Sequence, residues 1–270
     1  MWFATASVVL AGAIAFANPS TRRPVDPLRV CADPNNLPYS NRRKEGFENE
    51  LAKLVGKELE RPVRYTWWAQ RRGFLRSTLK DSLCDVVMGV PSSLEMVRRT
   101  KPYYRSTYVF VTRADRGLTL RSLDDTTLRH LKIGVSMVGD DYASTPPAAA
   151  MIKRGLARNL VPYSVYGDYA KPNPPARLID AVRAREVDVA MAWGPLAGYF
   201  ARGGDSLVVT PVTPQIDLPF LPMTFDIAMG VRPSDSLFAA QLDTIIDRRR
   251  GSIDSLLARY GVPRLDRRKQ

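Results

Sequence analysis

The chain has 270 residues, 45% of them hydrophobic and 25% charged, with apolar residues spread along its whole length, which excludes a disordered chain and leaves room for one large or two smaller packed domains. Forty Lys and Arg face 27 Asp and Glu, a net charge of +13 that points to an acidic partner. A single histidine, His130, gives poor support to a Ser-His-Asp triad or a multi-histidine metal site, so a catalytic or metal centre of those kinds is not expected.

At the N-terminus, "WFATASVVLAGAIAFA" is apolar, rich in small residues and short for a membrane span. Ala15-Phe16-Ala17 fits an A-x-A cleavage site, followed by Asn18-Pro19, so residues 1–17 are expected to be a secretory signal, although no Lys or Arg precedes the apolar run. No later stretch is long and apolar enough to cross a bilayer. Export makes nucleic acid a poor partner and directs the charge to a protein or a surface. It also favours a disulfide between the only two cysteines, Cys31 in "LRVCA" and Cys84 in "CDVVMGV", if their strands are neighbours.

Along the chain, "LRVCA" is a strand that opens into Pro34, Asn35, Asn36 and Pro38. "GFENELAKLVGKEL" has Phe47, Leu51, Leu54, Val55 and Glu58 on one helical face. "PVRYTWW" alternates as a strand, "RGFLRSTLKDSL" is a short helix, and "CDVVMGV" and "TYVFVTR" are strands. The pattern restarts with a short helical segment and a strand in "SLDDTTLRHLKIGVSM", a helix in "PAAAMIKRGLARNL" with Gly155 inside it, and the strand "VPYSVYG". A helix in "PPARLIDAVRARE" and the strands "VDVAMAWG", "SLVVTPVTP" and "FDIAMGVRP" follow. Two helices close the chain, "SLFAAQLDTIIDRRR" and "GSIDSLLARYG", the second stopped by Gly261 and Pro263.

Alternating strands and helices imply parallel α/β units. The echo of "CDVVMGV" in "VDVAMAWG" implies two of them. The expected fold is α/β and bilobed, with residues 26–112 plus 222–270 in one lobe and 113–221 inserted as the other. Two connections join the lobes, near Arg113 and between Pro214 and Thr224, with no single sheet running through both halves. Ligand loops lie beyond the carboxyl ends of the strands, which accounts for the unpaired "DPNNLPYSN" as a cleft rim.

"GFENELAKLVGKEL", "CDVVMGVPSSLEMVRRTKPYYRSTYVFVTR", "VDVAMAWG" and "GSIDSLLARYG" resemble the bilobed periplasmic solute-binding proteins of amino-acid ABC transporters, family 3. "VCADPNNLPYSN", "GDDYASTPPAAAM" and "VYGDYAKPNPPARLIDAV" resemble the subgroup encoded with quinoprotein alcohol dehydrogenases, the MxaJ/XoxJ type. The resemblance implies a periplasmic location and a partner in a pyrroloquinoline-quinone (PQQ)-dependent methanol dehydrogenase; no cofactor of the chain's own is expected. It also exposes departures. The place of the Arg that pairs with a ligand carboxylate falls near Val97, so Arg98 or Arg99 would serve only through a shift. The place of the Asp that holds the ligand amine falls near Trp193 and Gly194. Asp140 and Asp141 stand where a helix entry would otherwise attract an anion.

The residues expected at the cleft, for a ligand or a partner, are Asn35, Tyr39, Trp68, Arg71, Ser92, Ser93, Tyr104, Asp140, Asp141, Tyr142, Tyr166, Asp168, Tyr169 and Trp193, rich in aromatics that suit a flat group or a peptide. Core packing is the plainer role for Trp193, and helix capping for Asp140. Arg42 to Lys44, Arg71–Arg72, Arg248 to Arg250 and the tail from Arg264 supply basic rims. Three classes remain: a periplasmic accessory protein of a dehydrogenase, a transport receptor for a small solute that is not a standard amino acid, and an enzyme on the same fold using Asp33, Asp140 or Asp168. No spacing singles out an acid and a base for the third, so a non-enzymatic role is expected.

Overall fold

The computed structural model describes residues 26–138, 143–164, 169–204 and 206–265. The expected signal segment, Asp140, Asp141, Tyr142, Tyr166 and Asp168 lie outside the described residues. In chain order the main elements are β1 (Leu28–Ala32), α1 (Phe47–Glu58), β2 (Val63–Trp67), β3 (Val86–Pro91), β4 (Tyr104–Arg113), β5 (Ile133–Val138), α2 (Pro146–Lys153), β6 (Leu160–Ser164), α3 (Arg177–Arg183), β7 (Val189–Trp193), α4 (Gly194–Phe200), β8 (Leu207–Pro211), β9 (Thr224–Val231), α5 (Ser236–Arg248) and α6 (Arg250–Arg259).

In the first lobe β1 pairs in parallel with β2 and β3, and β9 runs antiparallel beside β3. In the second, β5 pairs in parallel with β6 and β7. In the second lobe helices cover both faces of the sheet; in the first, α1, α5 and α6 cover one face and the segment around Phe74 and Leu79 the other, so the strands are apolar on both sides. Val86 and Met88 of β3 join a core with Phe47, Leu51 and Val55 of α1 and with Leu242, Ile246, Ile253 and Leu257 of α5 and α6, while Val87 joins Cys31, Cys84 and Phe74 on the other face. In β7, Val189 and Met191 face α2, and Ala190 and Ala192 face α3. The C-terminal helices therefore pack back on the first lobe.

The expectation that no sheet runs through both halves is overturned. β4 is ten residues long and serves both lobes: Tyr104 to Thr107 pair with β9, and Tyr108 to Arg113 pair with β7 and β8. A hydrogen-bonded path thus runs from β6 to β2, although its two halves wrap separate cores. Residues 108–112, placed in the first lobe from the sequence, pair with second-lobe strands. The chain returns at Met223–Thr224, where the Tyr108 N–H donates to the Met223 carbonyl.

Three local expectations also shift. The "RGFLRSTLKDSL" helix is a single wide π turn over Arg76–Lys80. α2 ends at Lys153 rather than continuing, because Gly155 takes a φ of +74° and the Leu156 N–H closes back on the Met151 carbonyl, a left-handed stop that glycine makes cheaply. The "GPLAGYF" helix, α4, was not expected, since Gly194, Pro195 and Gly198 are poor helix formers. Packing supplies what propensity lacks: a Cβ on Gly198 would sit 1.9 Å from the Gly261 carbonyl oxygen, so only a bare backbone admits the chain leaving α6.

Candidate functional site

The loop after β1 is the first wall of the site. Buried Asp33 accepts the N–H of Asn35 at 2.8 Å and of Gln70 at 2.7 Å, and Ser40 donates to the Asp33 carbonyl at 2.8 Å. Asn49 accepts the N–H groups of Asn41 and Gly46, each at 3.1 Å, and so ties the loop to the start of α1. The Tyr39 carbonyl accepts the Glu48 N–H at 2.9 Å, and a Cβ on Gly46 would lie 2.0 Å from that oxygen. The prolines and asparagines thus form a rigid rim, in which unpaired backbone is satisfied by side chains.

Between the lobes lies a cavity of about 300 Å³. Asn36, Tyr39, Glu48, Gln70 and the Gly89–Pro91 end of β3 line it from the first lobe; Ser136, Thr145, Trp193 and Leu196 line it from the second. Tyr104, Tyr108 and Phe225 close its base, where β4 and β9 cross between lobes. Trp193, Tyr108 and Phe225 form an edge-to-face cluster with centroids 5.3 to 6.5 Å apart. The mouth is bridged by Tyr169, whose hydroxyl donates to Asp33 at 2.9 Å, and by Asn35, whose amide donates to the Lys171 carbonyl at 2.8 Å. Behind the cleft, Tyr199 of α4 stacks on Tyr260 with centroids 5.8 Å apart, and the Arg202 guanidinium lies 4.4 Å from the Tyr199 ring.

The electrostatics centre on Glu48, in the first turn of α1. Its carboxyl abuts the backbone of Gly89, and burial in the cleft wall pushes it up to about 8. Tyr103 and Tyr104 are held well above the usual phenol range, by burial first and then by their neighbours, Glu48 among them. The Tyr103 hydroxyl is fully buried and has no hydrogen-bond partner. On the outer surface the charge is spent differently. Glu58 is lowered chiefly by its hydrogen bond from Arg249, with Arg248 adding to it.

Of the residues expected at the cleft, the structure brings together Tyr39, Tyr104 and Trp193 as lining, with Asn35 and Tyr169 as the bridge at the mouth. Trp193 packs and lines at once. Trp68 is 45% exposed and lies outside the cavity, as do Arg71, Ser92 and Ser93. Neither Arg98 nor Arg99 shifts inward: their strand pairs with the far end of β9, and they donate to the carbonyls of Pro233 and Leu94. Asp33 is consumed by three donors, so it holds the rim rather than serving as a base. Cys31 and Cys84 are joined in a disulfide with Cα atoms 5.5 Å apart. His130 is exposed, and no cluster of metal-ligating side chains occurs among the described residues.

Sequence reasoning missed Glu48, Tyr108 and Phe225. An acid in the first turn of a helix is ordinary dipole complementation, so nothing marked Glu48 as unpaired. Tyr108 and Phe225 sit on strands whose crossing is set by long-range pairing.

The model for bacterial extracellular solute-binding proteins, family 3, matches residues 28–262. Protein MoxJ of Methylorubrum extorquens AM1 is 32% identical, covering 87% of this chain and 81% of that protein, and protein MoxJ of Paracoccus denitrificans is 27% identical over 94% and 95%. The crystal structure of the periplasmic binding protein XoxJ from Methylobacterium extorquens AM1 superposes with a TM-score of 0.71 and 33% identity, over 89% of this chain and all of that one. The MxaJ structure from Methlophaga aminisulfidivorans MPT gives a TM-score of 0.77 at 24% identity, over 88% and 100%, a likeness of fold. The chain belongs to the family 3 bacterial extracellular solute-binding proteins and, within them, to the MxaJ/XoxJ-like group.

Proposed function

We propose that the protein is a periplasmic accessory protein of methanol oxidation that binds a PQQ-dependent methanol dehydrogenase and aids its maturation or activation. The observation that carries this reading is the makeup of the cleft. No Lys or Arg is among its described lining residues, so the carboxylate of a transported amino acid has no cationic partner there. The relatives that share most of the chain's length carry MoxJ and XoxJ names, which supports a role beside methanol oxidation over amino-acid import.

A surface suited to docking stands on the second lobe. Residues 216–217 and 221–222 pair as a short hairpin, and Arg154, the residue that caps α2, grips its base through two hydrogen bonds to buried Asp217, at 2.8 and 2.9 Å. The hairpin presents Ile216 on its strand and Leu218 and Phe220 at its tip, exposed by 57, 74 and 90%. A rigidly held apolar knob loses little entropy on docking. The +13 charge of the chain would steer it to an acidic partner. Affinity capture from native periplasm tests the reading. The dehydrogenase should co-purify with the wild-type chain; its absence, together with normal dehydrogenase activity in a strain lacking this protein, would leave the transport reading ahead.

A further inference from the structure

Tyr39, Tyr104, Tyr108, Trp193 and Phe225 close around one carboxyl group, that of Glu48. Among the described residues nothing neutralises it: it makes no ion pair, and burial alone acts on it. A Cβ built on Gly89 would stand 2.2 Å from the Glu48 Oε1 and 3.7 Å from the Tyr103 Oη, so both oxygens converge on one point of β3. The Tyr103 hydroxyl, 1% exposed as a residue, has no partner there. The Glu48 carboxyl lines the aromatic cavity with no partner among the described residues, and the Tyr103 hydroxyl behind it is sealed from the cavity, so an occupant of the cavity is the group that can satisfy the carboxylate.

We propose that this cleft is a receptor site for an organic monocation, an ammonium head group on a short apolar or aromatic stem, with the Glu48 carboxylate as its counter-ion. An ammonium offers three N–H donors, which carboxylate and phenol oxygens accept. The aromatic faces attract a cation and enclose its stem. Neither an anion nor the carboxylate of a zwitterion finds a Lys or Arg among the described lining residues, and an anion meets a like charge once Glu48 ionises. The site is thus selective by what it omits as well as by what it holds. The inference stands apart from the docking reading, because the exposed hairpin uses other residues.

The site also couples binding to protons. With its carboxyl at about 8, the empty cleft is mostly protonated at neutral pH, so a bound cation displaces a proton: the neutral acid and the cation give the carboxylate–ammonium pair and one released proton. The groups facing Glu48 are the phenols of Tyr39, Tyr103 and Tyr104, with Tyr65 of β2 behind it; burial raises Tyr65, Tyr103 and Tyr104. Glu48 is therefore the group that ionises near neutrality, and cation affinity should climb from pH 6 to pH 8.

Isothermal titration calorimetry of the full chain with benzylammonium, benzyl alcohol and benzoate tests this. Benzylammonium should bind at least tenfold more tightly than benzyl alcohol, and benzoate should give no heat. The measured enthalpy should vary with the ionisation enthalpy of the buffer, reporting the released proton. Glu48→Gln should lose at least tenfold for benzylammonium and erase the preference for it over benzyl alcohol. If that variant does not fold, cation preference and proton release in the wild type decide. An Nα-acetyl-lysine amide arm separates sources: binding as tight as benzylammonium points to a partner's lysine side chain, and weaker binding to a free amine. Equal affinity for benzyl alcohol, undiminished binding by a folded Glu48→Gln, or no binding of any cation would overturn the proposal.

Discussion

Asp188 makes in the second lobe the clamp that Asp85 makes in the first. Each stands just before a buried strand and donates its own N–H to a carbonyl on the neighbouring strand segment, that of Arg29 or of Lys132. Each carboxylate then accepts the N–H of the same residue, from Arg29 at 3.1 Å and from Lys132 at 2.9 Å. The "CDVV" and "VDVA" echo in the sequence is this two-way bond, which sets the register where a parallel pair begins. An arginine reinforces both, Arg29 at 2.5 Å from Asp85 and Arg116 at 2.8 Å from Asp188.

Asp85→Asn should cost more than Asp188→Asn. Asp85 is 7% exposed and lies among Arg29, Arg61 and Arg232, which lose their common counter-ion in the variant. Denaturant melts should show a loss of about 2 kcal/mol for Asp85→Asn and about 1 kcal/mol for Asp188→Asn. Burial pushes Asp85 up, but the hydrogen bonds from Arg29 and Arg232 outweigh it and leave it lowered. A lowered folded-state value gives stability that is present above the unfolded value and lost as pH falls through the folded one. The variant should accordingly show a flatter acid limb below about pH 4.

Reducing the Cys31–Cys84 bond, which spans 53 residues, should lower stability by about 2–4 kcal/mol. Denaturant titration with and without reductant measures this. Non-reducing mass spectrometry of the exported protein should recover the cross-linked peptide, whereas two freely alkylated thiols would refute the pairing.

Glu48 predicts an opposite trend at higher pH. Its folded-state value, about 8, lies above the unfolded one, so the folded chain holds a proton that the unfolded chain releases. Stability should fall as pH rises from about 5 to 8 and then level off. Glu48→Gln should remove that slope and be the more stable protein at pH 8, by on the order of 2–4 kcal/mol given partial access of water to the cleft. Identical slopes for the two proteins would show that the carboxyl is not desolvated.

Much of this fold was legible from periodicity. Phe47, Leu51 and Val55 on α1, the alternate faces of β3 and β7, and Leu178, Ile179 and Val182 on α3 are buried where spacing places them. What stayed hidden depends on contacts distant in sequence. β4 reads as one strand, and nothing local says that its pairing changes lobes at Thr107–Tyr108. α4 looks like a loop because its glycines pay for close packing rather than for flexibility. Within the cleft, Tyr39, Tyr104 and Trp193 were recognisable as aromatics at strand ends, but Trp68, of the same kind, is turned outward. The missing ligand arginine was visible in the sequence; the isolation of Glu48 was not, because a charge without a partner is a property of its surroundings.

Gly198→Ala tests the seam between α4 and the end of α6. The added methyl would overlap the Gly261 carbonyl at 1.9 Å, and backbone cannot swing aside as a side chain can. Overpacking of this kind costs about 1–3 kcal/mol, several degrees in melting temperature for a chain of this size. An unchanged melting temperature would mean that the two segments are not held in contact.

The central claim is that this chain docks on a PQQ-dependent methanol dehydrogenase, and surface plasmon resonance with the purified dehydrogenase tests it most directly. Wild-type protein should bind, with an association rate that falls as salt rises, since the Debye length shrinks to about 8 Å at physiological ionic strength. Phe220→Ser, at a side chain 90% exposed and outside both cores, should weaken binding by about 2 kcal/mol, roughly thirtyfold, and leave thermal stability unchanged. No detectable binding by the wild type at either low or high salt would contradict the account.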